Sequence, residues 1–262
     1  MGAGVLDGGV AFITGAASGI GKATAYSFAK YGASSLALAD INVAGLKDIT
    51  GEIKSQYPNI DIGTFEVDTG DEQSIISAHE AVVKQFGRID YAVNNAGIAG
   101  SMKASTDMSL AEFKKSIDIN MIGVWLCQRE QLKQFLKQDP HNSVRGTIVN
   151  LSSIYGKQVG SNTTSYGTGK HGVIGLTRND ARNFAKDGIR INAVCPGYTA
   201  TPMIKLPQAG VSVGMQQYLD NCPMGRLGEP DEIADVIVFL SSPMSRYVNG
   251  VDLSVDGGFG CV

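Results

Sequence analysis

The chain has no block of like charge, no long apolar run and no paired cysteine spacing, and each absence removes a class of function. Its 22 basic and 25 acidic residues leave a formal net charge of −3, without the clustered basic surface that a nucleic-acid backbone demands. No apolar run approaches the ~18 residues needed to cross a bilayer. Cys127, Cys195, Cys222 and Cys261 show no CxxC or other ligand spacing, and no secretory leader precedes the first strand-like stretch. Free thiols in a soluble cytoplasmic protein are therefore expected. His79, His141 and His171 form no H-E-x-x-H or related pattern, so no metal is expected. Met1-Gly2 begins like a myristoylation signal, but Leu6 stands where the hydroxyl residue is needed.

Glycine is what the chain has in excess: 33 of 262 residues, nearly twice the usual share of roughly 7%. No G-X-Y period accompanies them, which excludes collagen. Short apolar runs at 10–13, 36–39, 62–67, 89–93, 147–151, 189–194 and 251–255 read as seven strands, most bounded by Gly, Asn or Asp. Longer amphipathic stretches at 19–31, 43–57, 71–86, 110–137, 165–186 and 230–240 read as helices. This alternation predicts an α/β fold: a doubly wound parallel sheet with helices on both faces. No linker or charge block divides residues 1–262, so a single domain is expected. Residues 198–229, with Pro202, Pro207, Gly210, Gly214 and Pro223 scattered through them, are too long for a plain connection. They follow the sixth strand's carboxyl end, where ligands sit in open sheets, and are a candidate substrate lid.

The most informative glycines are Gly15, Gly19 and Gly21 in the run Thr14-Gly15-Ala16-Ala17-Ser18-Gly19-Ile20-Gly21, directly between the first strand and the first helix. Such a turn lets backbone approach a pyrophosphate and aims helix N-terminal amides at it. Asp40 ends the second strand, 19 residues past Gly21, where a carboxylate can accept hydrogen bonds from the adenosine ribose hydroxyls. Its charge would repel a 2′-phosphate. Neither Ser18 nor Ile41 supplies a cation to offset that repulsion. NAD is therefore favoured over NADP. The competing reading of Asp40 is a helix N-cap.

At this point the chain resembles the short-chain dehydrogenase/reductase family over nearly its whole length. The glycine run matches T-G-x-x-x-G-x-G, Asn94-Asn95-Ala96-Gly97 matches N-N-A-G, and Asn120 with Gly123 matches N-x-x-G. Asn150-Leu151-Ser152-Ser153 matches N-x-S-S, and Tyr166-Gly167-Thr168-Gly169-Lys170 matches Y-x-x-x-K. The resemblance implies a Rossmann fold and a nicotinamide cofactor. It places Asp68 against the adenine amino group and Pro196, Gly197, Thr199 and Thr201 around the nicotinamide carboxamide. It adds Ser18, Ile20, Ile41, Asn95, Ala96 and Gly97 to the cofactor site. It also implies a homotetramer, or failing that a homodimer, through the helices near 110–137 and 165–186.

The chemistry expected of Asn120, Ser153, Tyr166 and Lys170 follows from their types. Oxidising an alcohol requires loss of the hydroxyl proton, and a free tyrosine, with pKa about 10, is a poor base near neutrality. Lys170 is one helical turn beyond Tyr166, on the same face, and its ammonium, together with the positive nicotinamide of the oxidised cofactor, should lower the phenol pKa. Ser153 would donate a hydrogen bond to the substrate oxygen. By resemblance, Lys170 also holds the nicotinamide ribose, and Asn120 holds a water that links Lys170 to solvent; a helix-packing amide is the alternative for Asn120. A second Y-x-x-x-K at Tyr26 and Lys30 has Ile13, not a hydroxyl, 13 residues upstream and reads as structural. Gly210-Val211-Ser212-Val213-Gly214 mimics a nucleophile elbow, but no histidine follows it as that fold requires. The pocket should be walled by 98–102, 154–164 and the lid, including Ser161, Asn162, Met203, Ile204 and Leu206. These residues suit a mid-sized, partly polar secondary alcohol or ketone. The alternative function is a non-redox isomerase, cyclase or scaffold on the same fold.

Overall fold

In the computed structural model, which describes residues 4–6, 8–204, 216 and 219–261, the period-2 apolar pattern resolves onto two opposite faces of one sheet. The strands are β1 (Val10–Thr14), β2 (Ser35–Asp40), β3 (Asp61–Glu66), β4 (Tyr91–Asn94), β5 (Gly146–Leu151), β6 (Ile189–Pro196) and β7 (Asp252–Val255). All pair in parallel, in the order β3-β2-β1-β4-β5-β6-β7. Ala11, Ile13, Leu36, Leu38, Val93, Val149 and Val194 enter one core. Phe12, Ala37, Ala39, Ala92, Ile148 and Ile191 enter the other. Successive side chains point to opposite faces, so a strand buried on both faces must be apolar throughout.

Helices α1 (Gly19–Lys30), α2 (Val43–Gln56) and α7 (Pro230–Ser241) cover the first face through Phe28, Leu46, Ile49, Ile53, Ile233 and Ile237. Helices α3 (Glu72–Phe86), α5 (Gly123–Phe135) and α6 (Thr164–Asn183) cover the second through Ile75, Val82, Leu126, Phe135 and Ala181. Each such large side chain contributes about 1.5–3 kcal/mol when fully buried. Local signals set the helix ends. Asn42 caps α2 by accepting from the Gly45 N–H at 3.1 Å. Asp71 caps α3 through the Gln73 N–H at 2.8 Å, and Gly87, at φ 78°, stops it.

Two of the departures from the sequence reading trace to particular contacts. The helix expected over 110–137 is broken into α4 (Leu110–Ile117), a π turn at Asp118–Ile122, and α5. Asn120 lies in that turn, its amide bonded out of the helix to the chain after β4. A widened turn of this kind commonly marks a functional position. The fourth strand begins at Tyr91 rather than at residue 89, because the Ile89 N–H and carbonyl are taken by the Gln138 side-chain amide.

A buried chain of amides fixes α5 and α6 to the sheet beneath the strand ends. Asn94 Nδ2 donates to Gln131 Oε1 at 3.0 Å and to Asn150 Oδ1 at 2.9 Å. Asn150 Nδ2 donates to Gln128 Oε1 at 2.7 Å and to Thr177 Oγ1 at 2.9 Å. Gln128 Nε2 then donates to Asp180 at 2.8 Å. Such networks are worth most when every member is satisfied. Asn150→Leu, which leaves Gln128 Oε1 without its donor and takes one of two hydrogen bonds each from Asn94 Nδ2 and the Thr177 hydroxyl, is expected to lower unfolding stability by about 2–4 kcal/mol, read by urea denaturation.

Candidate active site

The parallel sheet brings all seven carboxyl ends to one edge, and at the β1/β4 boundary, where strand order reverses, it opens a cleft of about 920 Å³. The turn from β1 to α1 forms its floor. Gly15 has φ +67°, and a Cβ there would stand 2.7 Å from Asn95 Nδ2 and 2.9 Å from Ala96 Cα. That crowding leaves glycine as the residue the position accepts. The Thr14 hydroxyl accepts the N–H groups of Asn95 and Ala96 at 3.0 and 3.1 Å, while Asn95 Nδ2 donates back to Thr14 O at 3.0 Å. The two loops flanking the switch point are thus tied together. Ser18 makes no side-chain cap to α1, and no acidic residue enters the first turn. The helix therefore presents its amino end to the cleft, lined there by Ser18, Gly19 and Ile20.

Asp40 braces that turn from β2. One carboxylate oxygen accepts the Ala17 N–H and the other the Asn42 N–H, both at 2.9 Å. The helix cap that competed for Asp40 belongs instead to Asn42. Ile41 is exposed at the rim, and Asp68 lies further along the wall. Gly21, expected among the cofactor contacts, is not on the cleft wall. A Cβ there would meet Gly15 O at 2.1 Å, so this glycine serves the packing of α1 against the turn.

Opposite, Ser153 stands at the end of β5 and Tyr166 and Lys170 on α6, all three on the cleft wall. The Lys170 ammonium donates to Leu151 O at 2.7 Å and lies 5.7 Å from the centre of the Tyr166 ring. Burial draws the Lys170 pKa down to about 8. Burial also raises the Tyr166 phenol above its ordinary value near 10, against the downward pull of its hydrogen bond with Ser153. The expected lowering rests on Lys170 together with an oxidised nicotinamide; in the chain by itself desolvation of the phenolate dominates. Asn120 is fully buried, with Oδ1 accepting the Ile98 N–H and Nδ2 donating to Ile98 O, both at 2.9 Å. Its amide braces the π turn against the loop after β4.

Pro196, Gly197, Thr199 and Thr201 complete the wall from β6, with Thr199 Oγ1 donating to Gly197 O at 3.1 Å and the Thr201 methyl packed beside Gly19. Ala96, Gly97 and Ile98 line the facing side. A bridge between Thr199 and Gly228 draws together the two ends of the 198–229 segment. Its middle, with Leu206, Pro207, Gly210, Ser212 and Gly214, lies outside the described residues, and so does the elbow-like pentapeptide. Met203, Ile204 and Ser161 reach the cleft, whereas Asn162 is exposed and off its wall. Sequence reasoning gave no role to the Thr14 hydroxyl or the Leu151 carbonyl. It also missed the Tyr155–Tyr198 pair, whose phenol oxygens are 3.0 Å apart over the Ser153 end. Thr14 stood within the glycine motif; the other contacts join residues far apart in the chain and carry no local signal. The second Y-x-x-x-K lies on α1 away from the cleft, with the Tyr26 hydroxyl donating to Glu52 at 2.6 Å.

Residues 15–260 match the family model described as enoyl-(acyl carrier protein) reductase. The short-chain dehydrogenase fogB of Aspergillus ruber is 39% identical across 95% of this chain and 96% of its own. Levodione reductase of Leifsonia aquatica is 37% identical across 95% of this chain and 93% of its own. A crystal structure of levodione reductase aligns with a TM-score of 0.90 at 36% identity, covering 97% of this chain and 98% of that one. A 3-ketoacyl-(acyl-carrier-protein) reductase from Brucella melitensis, complexed with NADH, aligns with a TM-score of 0.86 at 31% identity, covering 96% and 98%.

The buried Lys170 ammonium has a stability consequence. Its folded pKa, about 8, lies below the unfolded value near 10.4, so between those pH values the unfolded chain binds more protons and stability rises with pH. Below pH 8 the full cost of burying the charge is present. Lys170→Met is expected to abolish turnover yet stabilise the fold at pH 7 by about 1–2 kcal/mol, the desolvation cost removed less the orphaned Leu151 carbonyl. That advantage should shrink as thermal melts are repeated from pH 8 to pH 10.

Proposed function

The chain belongs to the short-chain dehydrogenase/reductase family and moves hydride between a nicotinamide cofactor and an alcohol or ketone, and from that premise we propose an NAD-linked enzyme with Tyr166 as its acid/base. One observation carries the reading: Ser153, Tyr166 and Lys170 converge on the cleft whose other end holds the glycine turn and Asp40.

The cleft fits a dinucleotide. A Cβ at Gly15 would fill the floor, and the uncapped amino end of α1 suits a pyrophosphate. Asp40, with Ile41 beside it and no cation on either, supports NAD over NADP. Asp68, Asn95, Ala96 and Gly97 would line the adenosine side and the middle of the cofactor; Pro196, Gly197, Thr199 and Thr201 would hold its carboxamide end. When bound, the cofactor supplies the hydride acceptor or donor. Ser153 donates a hydrogen bond to the substrate oxygen, and Tyr166 takes or gives the proton at that same oxygen. Lys170 lies close enough to the phenol to favour its ionised form once the positive charge of the oxidised nicotinamide adds to its own. Asn120 keeps the π turn and the Ile98 loop in register behind them.

The cleft wall also includes Met102, Ile154, Tyr155, Tyr198, Met203 and Ile204, which carry no charge. They support a neutral, mid-sized, partly polar secondary alcohol or ketone, covered by residues 198–229 as a lid. Leu110, Ile122 and Trp125 are exposed apolar residues on α4, the π turn and α5, which supports a homotetramer or homodimer built through that face. Four free cysteines accord with a cytoplasmic enzyme.

Tyr166→Phe is expected to cut turnover by about 10²–10⁴-fold, followed as NADH absorbance, while NADH binding by fluorescence stays intact. Undiminished turnover would sink the assignment. Asp40→Asn removes the charge that opposes a 2′-phosphate, and the ratio of kcat/KM for NADP to that for NAD should rise about tenfold for each ~1.4 kcal/mol of repulsion relieved.

A further inference from the structure

The pairing of β5 with β6 ends at Leu151 and Val194, followed by one backbone bond from the Ser152 N–H to Val194 O at 2.8 Å. Beyond it, among the described residues, no strand pairing joins the turn that carries Ser153 to the run Pro196–Thr199 on the other side of the wall. A pair of tyrosines spans that interval. Tyr155 and Tyr198 both stand on the cleft wall. Their rings meet edge to face, 6.2 Å between centroids at 81°, and their phenol oxygens lie 3.0 Å apart, so either hydroxyl can donate to the other.

Each tyrosine is fastened to a different part of the site. The Tyr155 N–H donates to Ser153 Oγ at 3.1 Å. A serine hydroxyl has two lone pairs and one hydrogen. With one lone pair taken by the Tyr155 N–H, its hydrogen is left for the far side, where Ser153 is hydrogen-bonded with Tyr166. Tyr198 O accepts the Gly228 N–H at 3.0 Å, and the Ala200 N–H donates to Gly228 O at 2.8 Å, which fixes Tyr198 within the wall that also carries Gly197 and Thr199. Both rings pack against Ile154 and Cys222 in a small apolar cluster apart from the two sheet cores. A Cβ at Gly160 would stand 2.6 Å from the Tyr155 ring, so the backbone there lies directly against it. Packing thus holds the rings, and the hydroxyl bond joins what they carry.

Taking Ser153 and Tyr166 as the reacting groups, as proposed above, we infer that the Tyr155–Tyr198 hydrogen bond positions Ser153, holding the turn that orients its hydroxyl in register with the Pro196–Thr199 wall. Both tyrosines are positioning residues: they act through the serine and take no part in the proton transfer. Rates of transfer between groups held in a site fall steeply with small misplacements, so a side-chain bond across unpaired strand ends has leverage on turnover.

Tyr198→Phe and Tyr155→Phe keep the rings and remove the hydroxyl bond. In full-length Tyr198→Phe, the Tyr155 amide, 43 residues away in sequence, is expected to exchange with solvent about five- to tenfold faster by NMR. The Asp90 amide, bonded to Val10 O at the amino edge of the sheet, should keep its rate. With NADH and acetophenone as probes, either variant should lose about tenfold in kcat while KM and NADH affinity hold. The double variant should be no slower than either single one, because each removes the same bond. Unchanged Tyr155 exchange in Tyr198→Phe overturns the inference, and so do kcat losses that multiply in the double variant. The exchange measurement needs no substrate and decides alone should acetophenone not be turned over. Full turnover in Tyr166→Phe sinks the acid/base reading itself; an inactive Tyr166→Phe beside unchanged Tyr155 exchange sinks the positioning role alone.

Discussion

The active cleft depends on how the chain closes the gap between β1 and β4. Seven parallel strands with both faces buried must send their connections over the sheet, and at the reversal of strand order two of those connections part. The gap would be a loose crevice but for the Thr14 hydroxyl, which accepts two backbone N–H groups from the far loop, and the Asn95 amide, which donates back. This reciprocal tie fixes the glycine turn against the chain after β4. Ile98, three residues on from Asn95, in turn holds Asn120 and the π turn. The floor, the facing loop and the π turn before α5 are therefore tied together by hydrogen bonds.

Burial governs the electrostatics at both edges of the sheet. At the carboxyl edge the protein keeps Tyr166 neutral and weakens the hold of Lys170 on its proton. The groups are poised for proton transfer but not yet set to one side of it. On the proposed assignment, a cationic nicotinamide would shift that balance toward phenolate and so link ionisation of Tyr166 to the oxidised state of the cofactor. At the amino edge Arg190 is a buried cation whose protein partners are carbonyls. The same desolvation acts in both places, loosening the hold of Lys170 and of Arg190 on their protons.

Much of the site was legible because its backbone requirements are local. A left-handed turn packed against Asn95 and Ala96 needs glycine at 15, and the packing of α1 needs it at 21; both are visible as glycines before any fold is known. The 13-residue interval from Ser153 to Tyr166 and the four-residue step to Lys170 separated the Y-x-x-x-K on the cleft wall from its double at Tyr26. What could not be read was the direction of the Tyr166 shift, since it depends on burial by segments remote in sequence. The break at Asp118–Ile122 was equally hidden: residues 110–137 carry a helical pattern throughout, and the perturbation comes from the Ile98 backbone.

The sequence by itself determined the order of strands and helices, the two-faced burial of the sheet and the candidate catalytic set. These follow from apolar period, turn chemistry and spacing along the chain. Only the tertiary structure decided that Gly21 packs rather than lines the cleft and that Lys170 spends its ammonium on Leu151. It alone placed Tyr155 against Tyr198 and buried Arg190 against the Val248 and Ser242 carbonyls. The reason is common to all four. Periodicity and spacing report which face of an element is buried, whereas desolvation and hydrogen-bond satisfaction are set by the groups that other parts of the chain bring to that face.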